Sequence, residues 1–213
     1  MARRIYNLAI LITITMIVLS CNRNAYPPLY LQCKPPCWDG IIPGETNSAH
    51  VLEILESNKE VDQTTVEQSY ASHLLFKDII SWKFTNGGEG IAFFEDDILM
   101  ELDFRKANYS LENLITEFGN PEYVILTPYW GSEINLWLTF REKGILLNYV
   151  KKMKSETVVK IDPDDQVTNV TYFYSGVEQK ILEYITHSSR KFYGKQINQL
   201  LQQWNGYGEV DIR

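Results

Sequence analysis

The chain has 213 residues, with 27 Asp+Glu against 20 Lys+Arg and a formal net charge of −7. An acidic surplus repels phosphate backbones and anionic headgroups, which excludes nucleic acid as a partner and argues against a basic membrane-binding patch. Hydrophobic residues make up 45% and aromatics 13%, enough to bury a sizeable core at this length.

Arg3 and Arg4 precede an uncharged, mostly apolar run over 5–19 that leads into Ser20-Cys21. A basic start, a short apolar stretch and a small residue before the cut are the build of a signal peptide. Spanning hydrocarbon takes about 20 apolar residues. This run is shorter and is interrupted by Asn7, Thr13 and Thr15. Val18-Leu19-Ser20-Cys21 resembles the lipobox of bacterial lipoproteins. The resemblance implies that residues 1–20 are removed and that Cys21 is lipidated. The protein would then be held on the extracytoplasmic side of a bacterial membrane, in the cell envelope. Two acyl chains anchor stably where a single one barely does. Without residues 1–20 the chain carries 18 Lys+Arg against 27 Asp+Glu, a net of −9.

Residues 21–37 hold Pro27, Pro28, Pro35 and Pro36 and read as a semi-rigid tether. Cys33 and Cys37 flank Lys-Pro-Pro, and in an oxidising compartment a small-loop disulfide is the simplest expectation. A Cys-x3-Cys site for copper or redox chemistry is the alternative. It wants a third soft ligand, and no His or Met lies nearby in sequence. No metal and no cofactor is expected.

Beyond the tether, Cys37-Trp38-Asp39-Gly40-Ile41-Ile42-Pro43-Gly44-Glu45-Thr46 dictates a turn. Thr46 is placed to cap a helix with Ala49, Val51, Leu52 and Leu55 on its apolar face. Residues 57–68 are polar and read as a loop or a second short helix. Strands follow over 79–84, 90–94 and 98–104, with turns at 86–90 and at Asp96-Asp97. The order then repeats. Ser110 caps a helix carrying Leu111, Leu114, Ile115 and Phe118, which Gly119 and Pro121 end. Residues 134–140 and 144–150 read as a hairpin, and 158–161 with 167–174 as another around Asp162-Pro163-Asp164-Asp165. Helical patterns at 177–185 and 197–204 close the chain. The expected fold is α+β: two helix-plus-antiparallel-meander units, over 38–104 and 105–174, able to form one continuous sheet, with a helical tail over 175–213.

Two segments add a resemblance. Cys37 to Thr46, with the closing Trp204-Asn205-Gly206-Tyr207-Gly208, resembles a group of bacterial envelope lipoproteins without assigned activity, so it transfers no catalytic residue. Leu114-Ile115-Thr116-Glu117-Phe118-Gly119-Asn120-Pro121, with strands after it, is similar to small outer-membrane assembly lipoproteins of the SmpA/OmlA (BamE) type. Their helix pair on a three-stranded antiparallel sheet implies such a module twice here.

Chemistry is thin. His50, His73 and His187 lie far apart, and the sequence holds no nucleophile elbow, zinc helix or phosphate-cradling glycine loop. Glu95-Asp96-Asp97 and Asp162-Pro163-Asp164-Asp165 offer oxygen ligands but lack calcium-loop spacing, and Asp and Pro form turns in their own right. Aromatics remain, with Trp130, Tyr129 and Trp38 as the candidate binding residues and Trp130 in a loop. The sequence therefore points to a non-enzymatic, lipid-anchored protein that binds another protein. The alternative is a binder of an extracytoplasmic small molecule or glycan. Cys21→Ala should release the protein from membranes or leave an unprocessed precursor. An unmodified Cys21 in the intact mass of the mature chain would overturn the anchor.

Overall fold

The computed structural model describes residues 33–71, 75–155, 158–193 and 201–211, the side chains of 188–193 excepted. Residues 1–20, expected to be a signal peptide, together with Cys21 and His73 lie outside these residues. Among the described residues the fold is α+β, with one mostly antiparallel nine-stranded sheet, a two-stranded sheet and three α-helices. Among the described residues no helix is long and apolar enough to cross a membrane.

The chain enters through a disulfide between Cys33 and Cys37. Cys37 and Trp38 are 5% and 1% exposed, so the expected tether already belongs to the core at its end. Asp39 and Gly40 both have positive φ, and Trp38 and Ile41 exchange backbone hydrogen bonds of 3.0 and 2.8 Å across them. This is the two-residue turn that Asp-Gly favours. Gly44, at φ +89°, lies under the Tyr174 ring; a Cβ there would sit 2.4 Å from a ring carbon. Helix α1 (Ser48–Ser57) is capped by Asn47, whose side chain accepts from the His50 amide, and not by Thr46. Thr46 instead closes the preceding turn, its hydroxyl accepting from the Ile42 amide at 2.8 Å.

Strands β1 (Val61–Tyr70), β2 (Asp78–Phe84), β3 (Glu89–Glu95) and β4 (Ile98–Ser110) form a meander. The polar segment expected as loop or helix is thus a strand. It lies at the sheet edge, where neither face needs to be apolar. Asp96 and Asp97 take the two left-handed positions of the β3–β4 turn, and Asp97 accepts a hydrogen bond of 2.5 Å from the Ser48 hydroxyl at the start of α1.

Helix α2 (Leu111–Phe118) follows, capped by Ser110 and ended at Gly119 with φ +78°. Then come β5 (Tyr123–Pro128), absent from the sequence reading, β6 (Glu133–Phe140) and β7 (Ile145–Lys152). The next strands, β8 (Val158–Ile161) and β9 (Gln166–Phe173), do not form the expected hairpin. β9 inserts between β4 and β7, so both its edges are taken. The carbonyls of Pro163 and Asp165 accept from the first two amides of α2, which draws the 162–165 turn onto that helix. β8 is left to pair with β11 (Gly208–Asp211). After β9, α3 (Glu178–Tyr193) forms as expected; of the helix expected over 197–204, residues 197–200 lie outside the described residues and the rest is not helical. Leu201–Gln203 is β10, paired with β5. The strand order is β1-β2-β3-β4-β9-β7-β6-β5-β10.

Alternation sends one set of strand residues to each face. Ile80, Trp82, Phe104, Leu138, Leu147 and Tyr172 join Val51 and Leu55 of α1, and Leu111, Leu114 and Phe118 of α2, in the main core. Phe93, Leu146 and Phe173 on the opposite face meet Val177, just before α3, and Ile181 in its first turns. Phe118 is 2% exposed and meets Phe140 edge-to-face at 5.9 Å. Phe118→Ala should cost about 3–5 kcal/mol. Gly44→Ala should cost about 1–3 kcal/mol, because ring and backbone both resist the added methyl. Urea midpoints at constant m-value check both, and an unchanged midpoint for Phe118→Ala would contradict this packing.

Candidate functional site

On the α3 face of the sheet, β4 directs Glu101, Asp103 and Arg105 to one side, each two residues from the next. Their register partners on β9 are Phe173, Thr171 and Asn169. Leu146 and Asn148 of β7 stand opposite Thr171 and Asn169, and Trp137 of β6 stands opposite Asn148. The polar stripe therefore runs across four adjacent strands in the middle of the sheet. Covalent neighbours do not create it; the insertion of β9 does.

Helix α3 roofs the stripe. Arg141 grips Glu178 in the first turn of α3 through two nitrogens, the Nη2 contact being 3.1 Å. Lys180 reaches Glu95 at the end of β3 at 3.1 Å. Ile181, Tyr184 and Ile185 then overhang the strands, with Leu75 and Phe76 at the side, and line a partly open cavity of ≈ 170 Å³.

Most polar groups in the cavity are committed. The Thr171 hydroxyl donates to Asp103 Oδ1 at 2.9 Å, and Arg105 Nε donates to Oδ2 at 2.8 Å. Asn148 donates to the Leu136 carbonyl at 3.0 Å, while Asn169 donates to the Asn148 side-chain oxygen at 3.4 Å. Trp137 Nε1 donates to the Thr127 hydroxyl at 3.1 Å, leaving its ring to line the cavity. Glu101 is the exception. No hydrogen bond or ion pair reaches its carboxylate among the described residues. Glu101 as a residue is only half-buried, but desolvation where its carboxyl packs under α3, then the charge of Asp103, pushes that carboxyl up to about 8, against the opposing pull of Arg105. A carboxylic acid that holds its proton near neutral pH marks this cavity as the strongest candidate site.

The residues expected from sequence lie elsewhere. Trp130 and Tyr129 sit at the β5–β6 turn, 82% and 58% exposed. Trp38 is not with them. It stacks on Trp82 at 5.8 Å and meets Phe84 and Phe104 in the core, because the Asp39-Gly40 turn folds it inward. Cys33 and Cys37 are bonded to each other. The acidic turn at 162–165 is neutralised by lysine: Lys151 contacts Asp162 at 2.9 Å and also Asp165, and Lys160 contacts Asp162 at 2.5 Å. Hydrogen bonds from Lys160 and Lys151 hold the Asp162 carboxyl below its usual range. No group of three or more His, Cys, Asp or Glu able to hold a metal ion occurs among the described residues. Glu101 and Asp103 escaped the sequence reading because an acid alternating with core residues on a strand has the signature of a solvated face.

Compared with protein-family models, curated proteins and solved structures, the chain matches none.

The raised Glu101 value fixes a sign. An acid protonated more readily when folded than when unfolded contributes stability that is full below its unfolded value of 4.5 and lost as pH rises through about 8. Glu101→Gln should therefore leave the melting temperature unchanged near pH 4 and raise it at pH 8.5. Thermal melts of both proteins across that range check this, and an equal shift at both ends would contradict the buried-acid assignment.

Proposed function

We propose that the protein is an extracytoplasmic binder of a small molecule, held to a bacterial membrane through lipid on Cys21, with its ligand site beneath α3. The observation that carries the reading is the ≈ 170 Å³ cavity with an unpartnered Glu101. A mostly apolar enclosure with a few convergent polar groups is the usual form of a ligand site. Its size matches a compact solute, since a cavity of about 150 Å³ holds benzene. Binding without turnover is the better account of the chemistry. Asp103, the second acid lining the cavity, has both oxygens engaged, which leaves Glu101 without an acid–base partner there.

The anchor rests on the lipobox-like Val18-Leu19-Ser20-Cys21. The finer division of the fold into two helix-plus-meander units belongs to the same reading. Supporting it, α1 precedes the run β1-β2-β3-β4, α2 precedes β5-β6-β7 with β9 in the fourth place, and the two last strands pair.

A second reading, interaction with another protein, is favoured by Tyr129 and Trp130. Both are exposed at a hairpin tip, and aromatics of this kind anchor interfaces. One experiment separates the two. A panel of small cationic, neutral and anionic solutes should include members that give saturation-transfer signals with the wild-type protein. Ile185→Trp, which fills the cavity, should remove those signals, and Trp130→Ala should leave them intact. No signal that Ile185→Trp removes would overturn the cavity reading, and loss with Trp130→Ala alone would move the site to the tip.

A further inference from the structure

The chemistry of the cavity narrows the ligand, on the reading that the cavity is a small-molecule site. Three of its side-chain donors are spent: the buried Thr171 hydroxyl on Asp103, and the half-buried Asn169 amide on Asn148 and Trp137 indole on Thr127. Its one cation among the described lining residues, Arg105, is turned to Asp103 through Nε and is 45% exposed in its side chain. What remains unmet within the enclosure is an acceptor, the Glu101 carboxylate. The rings of Phe76, Phe93 and Trp137 face the same space, and aromatic faces attract cations. An ammonium group has three donors and no acceptor. It complements this inventory once Glu101 gives up its proton, whereas a neutral alcohol or an anion supplies no positive charge to draw that proton off.

We propose that the cavity binds a small primary amine, its ammonium group on the Glu101 carboxylate and its apolar body between Trp137 and the Ile181 and Ile185 side chains of α3. At ≈ 170 Å³ the space takes a body of about one aromatic ring with its aminomethyl group.

Binding is linked to protons. Among the described residues that line the cavity, the charged or titratable groups facing Glu101 are Asp103 and Arg105 on β4 and Tyr184 on α3. The lining residues of β6, β7 and β9 add none. Free Glu101 holds its proton up to about pH 8, so an ammonium binds by displacing it. Affinity therefore rises with pH below that value, about tenfold per pH unit when one proton is released.

Titration calorimetry on the full chain in detergent, with benzylamine, benzyl alcohol and benzoate as probes, tests the assignment. Benzylamine should bind at least about tenfold more tightly than the other two at pH 7.5 and about tenfold more tightly at pH 7 than at pH 6. It should also release one proton, seen as a buffer-dependent heat. Glu101→Gln, folded by circular dichroism, should lose both the preference and the pH dependence. Benzylamine binding no tighter than benzyl alcohol, or equally tight in Glu101→Gln, would overturn the amine assignment. If benzyl alcohol or benzoate binds best and Ile185→Trp abolishes it, the small-molecule reading stands and the amine assignment falls. If none of the three binds, both fall.

Discussion

The pairing of β4 with β9 holds the molecule together. Its register runs from Glu101 opposite Phe173 to Ser110 opposite Gln166, with an irregularity between Arg105 and Tyr109. Remove it and the nine-stranded sheet becomes two separate pieces, each with a long unpaired edge at its centre. It also decides where other parts go. Because β9 has neighbours on both sides, β8 is expelled to a second layer. There Val159 and Ile161 bury themselves in the main core and β11 supplies the missing hydrogen bonds. The turn between β8 and β9, displaced with it, ends up satisfying the open amides of α2. One pairing thus fixes sheet continuity, the second layer and the start of a helix.

The same pairing puts a cost and an opportunity on one face. Packing α3 over the middle of the sheet covers a carboxyl that a solvated face would keep ionised. Asp103 tolerates the cover because Thr171 and Arg105 supply donors; Glu101 has no such supply and keeps its proton instead. A sequence selected only for stability would place Leu or Met at 101. An acid left unmatched in a cavity large enough for a solute is where stability has been given up for something else.

Local signals read well from the sequence, and pairings did not. Ser110, Phe118 and Gly119 announced α2 with its cap, core contact and stop, since each acts within a few residues of chain. The Asp96-Asp97 turn and the β6–β7 hairpin were legible for the same reason. The β8–β9 hairpin was expected because adjacent strands usually pair. It failed on a competition with β4, some 60 residues back along the chain, that no local pattern records. Polar β1 was missed because nearly all its positions are polar and only Val61 is buried, and the end of the tail because Leu201–Gln203 and Gly208–Asp211 are short strands defined by their partners. The cavity needed two distant facts together: acids on the outer face of β4, and an apolar stripe of Ile181 and Ile185 on α3, with Val177 just before it, that had to land somewhere.

The inward fold of Trp38 bears on how the molecule would carry load. In a protein held through Cys21, any pull between membrane and body enters at the Cys33–Cys37 loop and meets Trp38 at once, four residues before Ile42. That ring is wedged among Trp82, Phe84 and Phe104, on strands that cross the sheet. The bonds between Trp38 and Ile41 close the turn directly behind it. Tension would therefore be shared by β2 and β4 and not peel one edge strand at a time. Were the chain so held, its Cys33–Cys37 end and the middle of the sheet would act mechanically as one part through Trp38.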